Sequence, residues 1–228
     1  MSKEKKPVMN RRALDPIGKL IGLRHKSHPW HGVEIGDNAP EQLMCFIEMV
    51  PTDTVKYEAD KNSGYLMIDR PQKYSSILPA LYGFISQTYC GAKVARISSD
   101  ILKRPEIVGD GDPLDICVLT EKEITHGDIL VNARPIGGFR MIDGNEADDK
   151  IIAVLQDDAV YGSYKDITDC PQPVLNRLKH YFLTYKDMPG TSGGRCEITH
   201  TYNKKEAHDL INRSRDDYKR YVETLLFE

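Results

Sequence analysis

No apolar run in this chain approaches the roughly 18 residues that a membrane-spanning helix requires, and the N-terminus lacks the apolar stretch of a secretory leader. Its five cysteines, Cys45, Cys90, Cys117, Cys170 and Cys196, form no CxxC pair. An odd count without that spacing speaks against a disulfide framework or a zinc site, and for a reducing, cytoplasmic setting. An excess of basic charge is also missing: 31 Lys and Arg stand against 34 Asp and Glu, for a formal net charge of −3. A nucleic-acid binder ordinarily carries a basic footprint, so neither nucleic acid nor a membrane is an expected partner. There is no internal repeat, no low-complexity tract, no GxxxxGK[ST] loop and no kinase motif set, so the usual phosphate cradles of nucleoside triphosphate chemistry are excluded.

What remains is a globular pattern of 228 residues, long enough for one domain with extensions. Residues 1–40 read as an N-terminal extension, Lys-rich at the start, and residues 41–228 as a single domain. His25, His28 and His31 surround Pro29-Trp30. Their spacing suggests a metal site, but Pro29 breaks any helix that would align them, and a structural or incidental role is the expected one. From residue 44 the chain turns to short β-like runs. Residues 44–50 are apolar except Glu48, and Cys45 and Cys117 sit in apolar runs as core residues. Residues 55–60 alternate, with Val55, Tyr57 and Ala59 on one face and Lys56, Glu58 and Asp60 on the other. Asn62-Ser63-Gly64 signals a turn, and residues 65–70 form the returning strand of a hairpin. Further strands are expected at 114–119, 129–133 and 151–155, a pattern that suits a barrel or a sandwich. Residues 86–109 show no period and read as an irregular insertion. Residues 171–186 carry Val174, Leu178, Tyr181, Phe182 and Tyr185 at helical spacing, with Asp169 or Thr168 as cap. Asn203 to Glu206 resembles a capping box ahead of a C-terminal helix marked by Ala207, Leu210, Ile211, Tyr218, Val222 and Leu225.

Two acidic loops carry the chemistry. In Asp110-Gly111-Asp112-Pro113-Leu114-Asp115 the glycine and proline force a turn, and Asp115 opens an apolar strand. A carboxylate there is poorly solvated, and burying it unpaired costs several kcal/mol or more. A second loop, Asp143-Gly144-Asn145-Glu146-Ala147-Asp148-Asp149-Lys150, precedes another apolar strand. If the loops converge, like charges roughly 4 Å apart repel by about 4 kcal/mol per pair at an effective dielectric near 20, and divalent cations relieve that. All-oxygen ligands favour Mg²⁺ or Mn²⁺ over Zn²⁺. Neither loop is an EF-hand, because the positions that need Gly and Glu hold Asp115 and Glu121 in one frame, and Asp148 and Val154 in the other. Each loop alone reads equally well as an ordinary Asp-rich surface turn. Lys56 and Glu58 on one strand face, Arg70 on the partner strand, Lys150 before a strand and Lys186 after Tyr185 add cations able to clamp a phosphate from several sides. Metals with Lys and Arg around one cavity suit phosphoryl transfer.

With these residues in hand, the sequence resembles the family I soluble inorganic pyrophosphatases. The most specific match is residues 109–115, close to the signature D-[SGDN]-D-[PE]-[LIVMF]-D. Ile47-Glu48, Lys56-Tyr57-Glu58, residues 55–69 with Arg70, Tyr82-Gly83-Phe84-Ile85, residues 133–137, 143–150, and 180–186 match in consistent order. The resemblance implies a small, closed, highly twisted OB-like β-barrel flanked by two main helices, mainly β with α. It implies hydrolysis of inorganic diphosphate to two phosphates with Mg²⁺, Mn²⁺ being the alternative, in a homo-oligomer. By the same resemblance Asp110, Asp115 and Asp148 match the tightest metal site, Asp143 a further ligand, and Glu48 a position facing a substrate-borne metal. Asp112 matches the residue that takes a proton from the attacking water. Lys56, Arg70, Tyr185 and Lys186 match phosphate-binding positions, Tyr82 and Lys150 lie in the same shell, and Glu58 is a site carboxylate of less certain role. Leu78 stands where many members carry Tyr, and Gly144 where many carry Glu; neither is a matched ligand, so tuned rather than abolished activity is expected. An OB-like nucleic-acid module, a different phosphohydrolase and an inactive relative are the rival readings.

Overall fold

The computed structural model describes residues 25–186 and 196–227. Ten strands and three α-helices are found among these residues. In chain order they are β1 (Leu43–Met49), β2 (Val55–Ala59), β3 (Leu66–Pro71), β4 (Leu81–Ile85), α1 (Ala92–Leu102), β5 (Val108–Gly109), β6 (Asp115–Leu119), β7 (Ile129–Asp143), β8 (Glu146–Ala147), β9 (Lys150–Leu155), α2 (Gln172–Thr184), β10 (Cys196–Asn203) and α3 (Lys204–Phe227).

The sheet closes on itself. β1 pairs with β4, β4 with β6, β6 with β9, β9 with β7, and β7 returns to β1. Every contact in this ring is antiparallel except β6 with β9. Closure leaves no exposed edge on the ring strands, which is how a short barrel avoids unpaired backbone. The ring strands are buried on both faces and so read as continuous apolar runs. In β9, Ile151 and Ala153 join one core cluster, packed against Ala207, Leu210 and Ile211 of α3. Ile152 and Val154 join the other, packed against Leu175, Leu178 and Phe182 of α2. The hairpin β2–β3 stands apart as its own two-stranded sheet.

The closed, mainly β barrel with flanking helices is present as expected, with three helices among the described residues. Several local expectations are corrected. Residues 86–109 are not irregular, because they contain α1. That helix has no local start signal: Gly91 at its N-cap has no side chain to cap it. Asp217 of α3 does the capping instead, its carboxylate accepting from the backbone N–H groups of Lys93 at 2.9 Å and Val94 at 3.1 Å. The strand expected at 129–133 runs on to Asp143, past Pro135 and Gly137, where a bulge separates its pairings with β9. Gly138 then accommodates the Tyr202 ring, which a Cβ would approach to 2.4 Å. Strands β4 and β10 were not anticipated as such. Pro171, not Asp169 or Thr168, precedes α2 without a side-chain cap; Asp166 and Asp169 instead box a 3₁₀ turn at Ile167–Asp169. The cap before α3 is in place, with Asn203 Oδ1 accepting from the Glu206 N–H at 3.1 Å.

Residues 28–35, ahead of β1, are packed on the barrel. Trp30 and Ile35 are buried. Pro29 and His28 press against Gly64, whose φ of +72° and lack of a Cβ allow the approach. His31 shares a hydrogen bond of 2.9 Å with the Tyr218 hydroxyl. His28 and His31 lie in ring contact with each other, and His31 stacks on Trp30.

Candidate active site

The thirteen side chains singled out above all border one cavity of about 200 Å³. The two acidic loops, the hairpin, strands β1 and β4 and the end of α2 bring them there. The first acidic loop is a tight turn before β6. Gly111 takes a φ of +76°, and Asp110 Oδ1 accepts from the Asp112 N–H at 2.9 Å. The segment after β4 holds this loop by its backbone: Cys90 N–H donates to the Asp112 carbonyl at 2.8 Å and Gly111 N–H to the Cys90 carbonyl at 3.1 Å. Thr88 Oγ1 accepts from the Leu114 N–H at 2.9 Å, and the Thr88 carbonyl accepts from the Trp30 indole at 2.7 Å.

The second loop joins β7 to β9 through β8. Gly144, at a φ of +66°, makes the turn between Asp143 and Glu146. A left-handed conformation strains residues with a Cβ, which gives a local reason for Gly144 at this departure from the family pattern. Leu78, the other departure, is buried in the cluster under α2. Because β6 and β9 are parallel neighbours, Asp115 and Lys150 stand side by side in register. Lys150 Nζ contacts both Asp115 and Asp148.

The hairpin forms the opposite wall. Lys56 and Arg70 are register partners, and Asp69 lies between them, 3.0 Å from Lys56 Nζ and 2.5 Å from Arg70 Nη1. Lys56 also meets Glu58 at 2.7 Å. Glu48 of β1 is buried and ties barrel to hairpin, its Oε1 accepting from the Ala59 N–H at 2.7 Å. The end of α2 supplies Tyr185 and Lys186, and Lys186 Nζ contacts Asp143.

The electrostatics are those of an anionic cleft laced with lysine. Burial and the nearby carboxylates push Glu48 and Asp110 up to about 8, and burial pushes Asp148 up to about 6 against the pull of Lys150. Burial raises Asp112 as well, opposed by Lys61. Lys150 loses solvation, but Asp115 and Asp148 outweigh that loss and hold its ammonium firmly charged. Among the described residues no three His, Cys, Asp or Glu side chains already form a ready-made metal cage; lysine ammonium groups stand between the carboxylates. The donors fit a hard divalent cation nonetheless. They are all oxygen, and Glu48 and Asp110 lack enough positive charge nearby to hold their protons off at neutral pH.

The cavity is also lined by seven residues that the sequence reading does not assign to the site, among them Lys61, Glu146, Trp30 and His28. Lys61 Nζ contacts Asp112 from the hairpin turn. Its place directly beyond the alternating run that carries Lys56 and Glu58 was the available signal. Trp30 and His28 had none, since they reach the cavity through tertiary packing.

A protein-family model described as inorganic pyrophosphatase matches residues 45–219. An inorganic pyrophosphatase of Chlamydia muridarum is 53% identical over 195 residues, spanning 84% of this chain and 93% of that protein. A soluble inorganic pyrophosphatase of rice is 35% identical over 196 residues, spanning 86% of this chain and 81% of the other. Among solved structures, the Thermus thermophilus inorganic pyrophosphatase superposes with a TM-score of 0.70 at 28% identity, covering 85% of this chain and 99% of that one. The Helicobacter pylori enzyme gives 0.67 at 30% identity, covering 82% and 98%.

Proposed function

This chain belongs to the inorganic pyrophosphatase family, and from that premise we propose that its cleft hydrolyses inorganic diphosphate to two phosphates with Mg²⁺ held by the two acidic loops. The observation that carries the reading is the meeting of both acidic loops with Lys56, Arg70, Lys150 and Lys186 around one cavity. Asp110, Asp115 and Asp148 are the residues to hold the tightest cation, with Asp143 and Glu48 facing others. Mn²⁺ suits the same oxygen donors. When bound, such cations supply Lewis acidity, lowering the pKa of a coordinated water and neutralising phosphate charge.

The chain's own residues do the rest. Asp112, partly exposed in the cavity lining, takes the proton from the attacking water. Lys61 at its side keeps the carboxylate from holding that proton too tightly. Lys56 and Arg70, fixed by Asp69, bind phosphate oxygens as a point charge and a fork. Lys186 and Lys150 neutralise the departing phosphate, and Tyr185 and Tyr82 orient oxygens. Glu58 holds Lys56 in place. Fixed charges aimed at the developing negative charge supply most of the rate enhancement, as in other phosphoryl transfers. Residues 41–228 act as one pyrophosphatase domain in this reading, within a homo-oligomer. Exposed Tyr65, Met67, Ile68 and Ile77 support a protein contact on the hairpin side. The free state of all five cysteines supports a cytoplasmic setting.

The test is phosphate release from diphosphate with Mg²⁺, with EDTA, and with ATP in place of diphosphate. Release that needs Mg²⁺ and prefers diphosphate is expected. Equal release in EDTA, or from ATP, would overturn the proposal.

A further inference from the structure

Between β8 and β9 the strand ladder lapses for two residues, Asp148 and Asp149. The flanking pairs are Ile142 with Ala147 and Phe139 with Lys150, so Asp149 lies opposite Arg140. Strand alternation sends Asp148 and Lys150 to one face and Asp149 to the other. Asp148 and Lys150 border the cleft. Asp149 points inward to Arg140, whose Nε lies 3.2 Å from Asp149 Oδ1, and both side chains are fully buried.

Arg140 is held in turn from α3. Glu206, in the first turn of that helix, approaches Arg140 Nη1 at 3.1 Å, and the Tyr202 ring lies 5.2 Å from the guanidinium carbon. Ser98 of α1 reaches Asp149 Oδ2 at 3.5 Å. The only backbone bond across the lapse is Asp148 N–H to the Met141 carbonyl at 3.0 Å. With a single ladder bond, the facing of residues 148–150 rests on which side chain is drawn inside. A buried carboxylate meeting a buried guanidinium settles that choice, because turning Asp149 outward would strand Arg140 with Glu206 as its sole counter-ion.

We propose that Arg140 and Asp149 are positioning residues for the active site: the buried pair fixes the turn of chain that presents Asp148 and Lys150 to the cleft, and couples it to α1 and α3. The inference rests on the reading of Asp148 as a metal ligand.

The experiment measures Mg²⁺ binding by calorimetry, without diphosphate, on the full-length protein carrying Asp149→Ala. Arg140 keeps Glu206 in that variant, so the fold retains a paired cation. Mg²⁺ affinity should fall about tenfold, the size seen when groups that orient metal ligands are removed, with kcat lowered alongside. The double variant Arg140→Met with Asp149→Ala removes the buried charge altogether, and supplies the same readout should the single variant unfold. Either folded variant binding Mg²⁺ as tightly as wild type would overturn the proposal, leaving the pair a purely structural contact. Asp148→Asn is the control. Unchanged affinity there would defeat the ligand reading itself, whereas loss in Asp148→Asn with none in the Asp149 variants would defeat the positioning inference alone.

Discussion

Tyr82 donates its hydroxyl hydrogen to Asp115 Oδ2 at 2.5 Å, from a position in β4 directly beside the strand that Asp115 opens. The same oxygen is contacted by Lys150. One carboxylate oxygen is therefore oriented by two donors, while burial and the adjacent Asp115 keep the Tyr82 phenol protonated. Replacing Tyr82 by Phe removes a hydrogen bond to a charged group, an interaction worth about 1.5–3 kcal/mol. Part of that remains through Lys150, so Mg²⁺ affinity should weaken by about threefold to tenfold, and less than in Asp115→Asn. Calorimetric titration of both variants checks the order.

Asp112→Asn keeps the size and the backbone bonds of the acidic turn but cannot accept a proton. Phosphate release should drop by about a hundredfold or more, while Mg²⁺ binding in the absence of substrate changes little. A loss of binding as large as the loss of rate would make Asp112 a ligand instead.

Glu48 offers a pH signature in metal-free protein. Its carboxyl is held near 8 in the folded state, against the usual 4.5 of an exposed Glu. Between those values the folded protein keeps a proton that the unfolded chain has released, so stability falls as pH rises through that window. Glu48→Gln retains an oxygen for the Ala59 N–H and does not titrate. In EDTA, the melting temperature of the variant relative to wild type should therefore rise from pH 5 to pH 8, by roughly 5–10 °C. A gap independent of pH would show that Glu48 ionises normally.

Trp30 is the chain's single tryptophan, and it lies outside the segment matched by the family model. It is buried at the wall of the cavity and hydrogen-bonded to the Thr88 carbonyl. Trp30→Ala should cost about 3–5 kcal/mol of stability, and Trp30→Phe less, measured by urea unfolding followed by circular dichroism. In wild type, Mg²⁺ with diphosphate should shift its fluorescence, a probe of the cleft that needs no label.

Much of this was legible along the chain because it is local. The alternation at residues 55–59 placed Lys56 and Glu58 on one face, and the glycine and proline of the acidic loop forced a turn with no further information. What stayed hidden depends on distant partners. Helix α1 begins at a glycine and is capped from 124 residues away by Asp217. Strand β7 reads as interrupted because Pro135, Gly137 and Gly138 are breakers in isolation; a bulge and the Tyr202 ring explain them only once β10 lies alongside. Trp30 and His28 enter the cavity by the same kind of long-range packing.

The parallel pairing of β6 with β9 has a consequence for how this protein tolerates change. Asp115 and Lys150 are neighbours only while the two strands keep their phase. A slip of one residue would turn Lys150 into the core and Asp149 into the cleft. The cleft would lose Asp148 together with Lys150 and gain Asp149 in one movement, leaving it one cation poorer, and the interior would take in an ammonium where it had a carboxylate paired with Arg140. Charge balance here is a property of strand phase as much as of composition, so a single-residue deletion within β9 should be more damaging than replacement of any one of its apolar side chains.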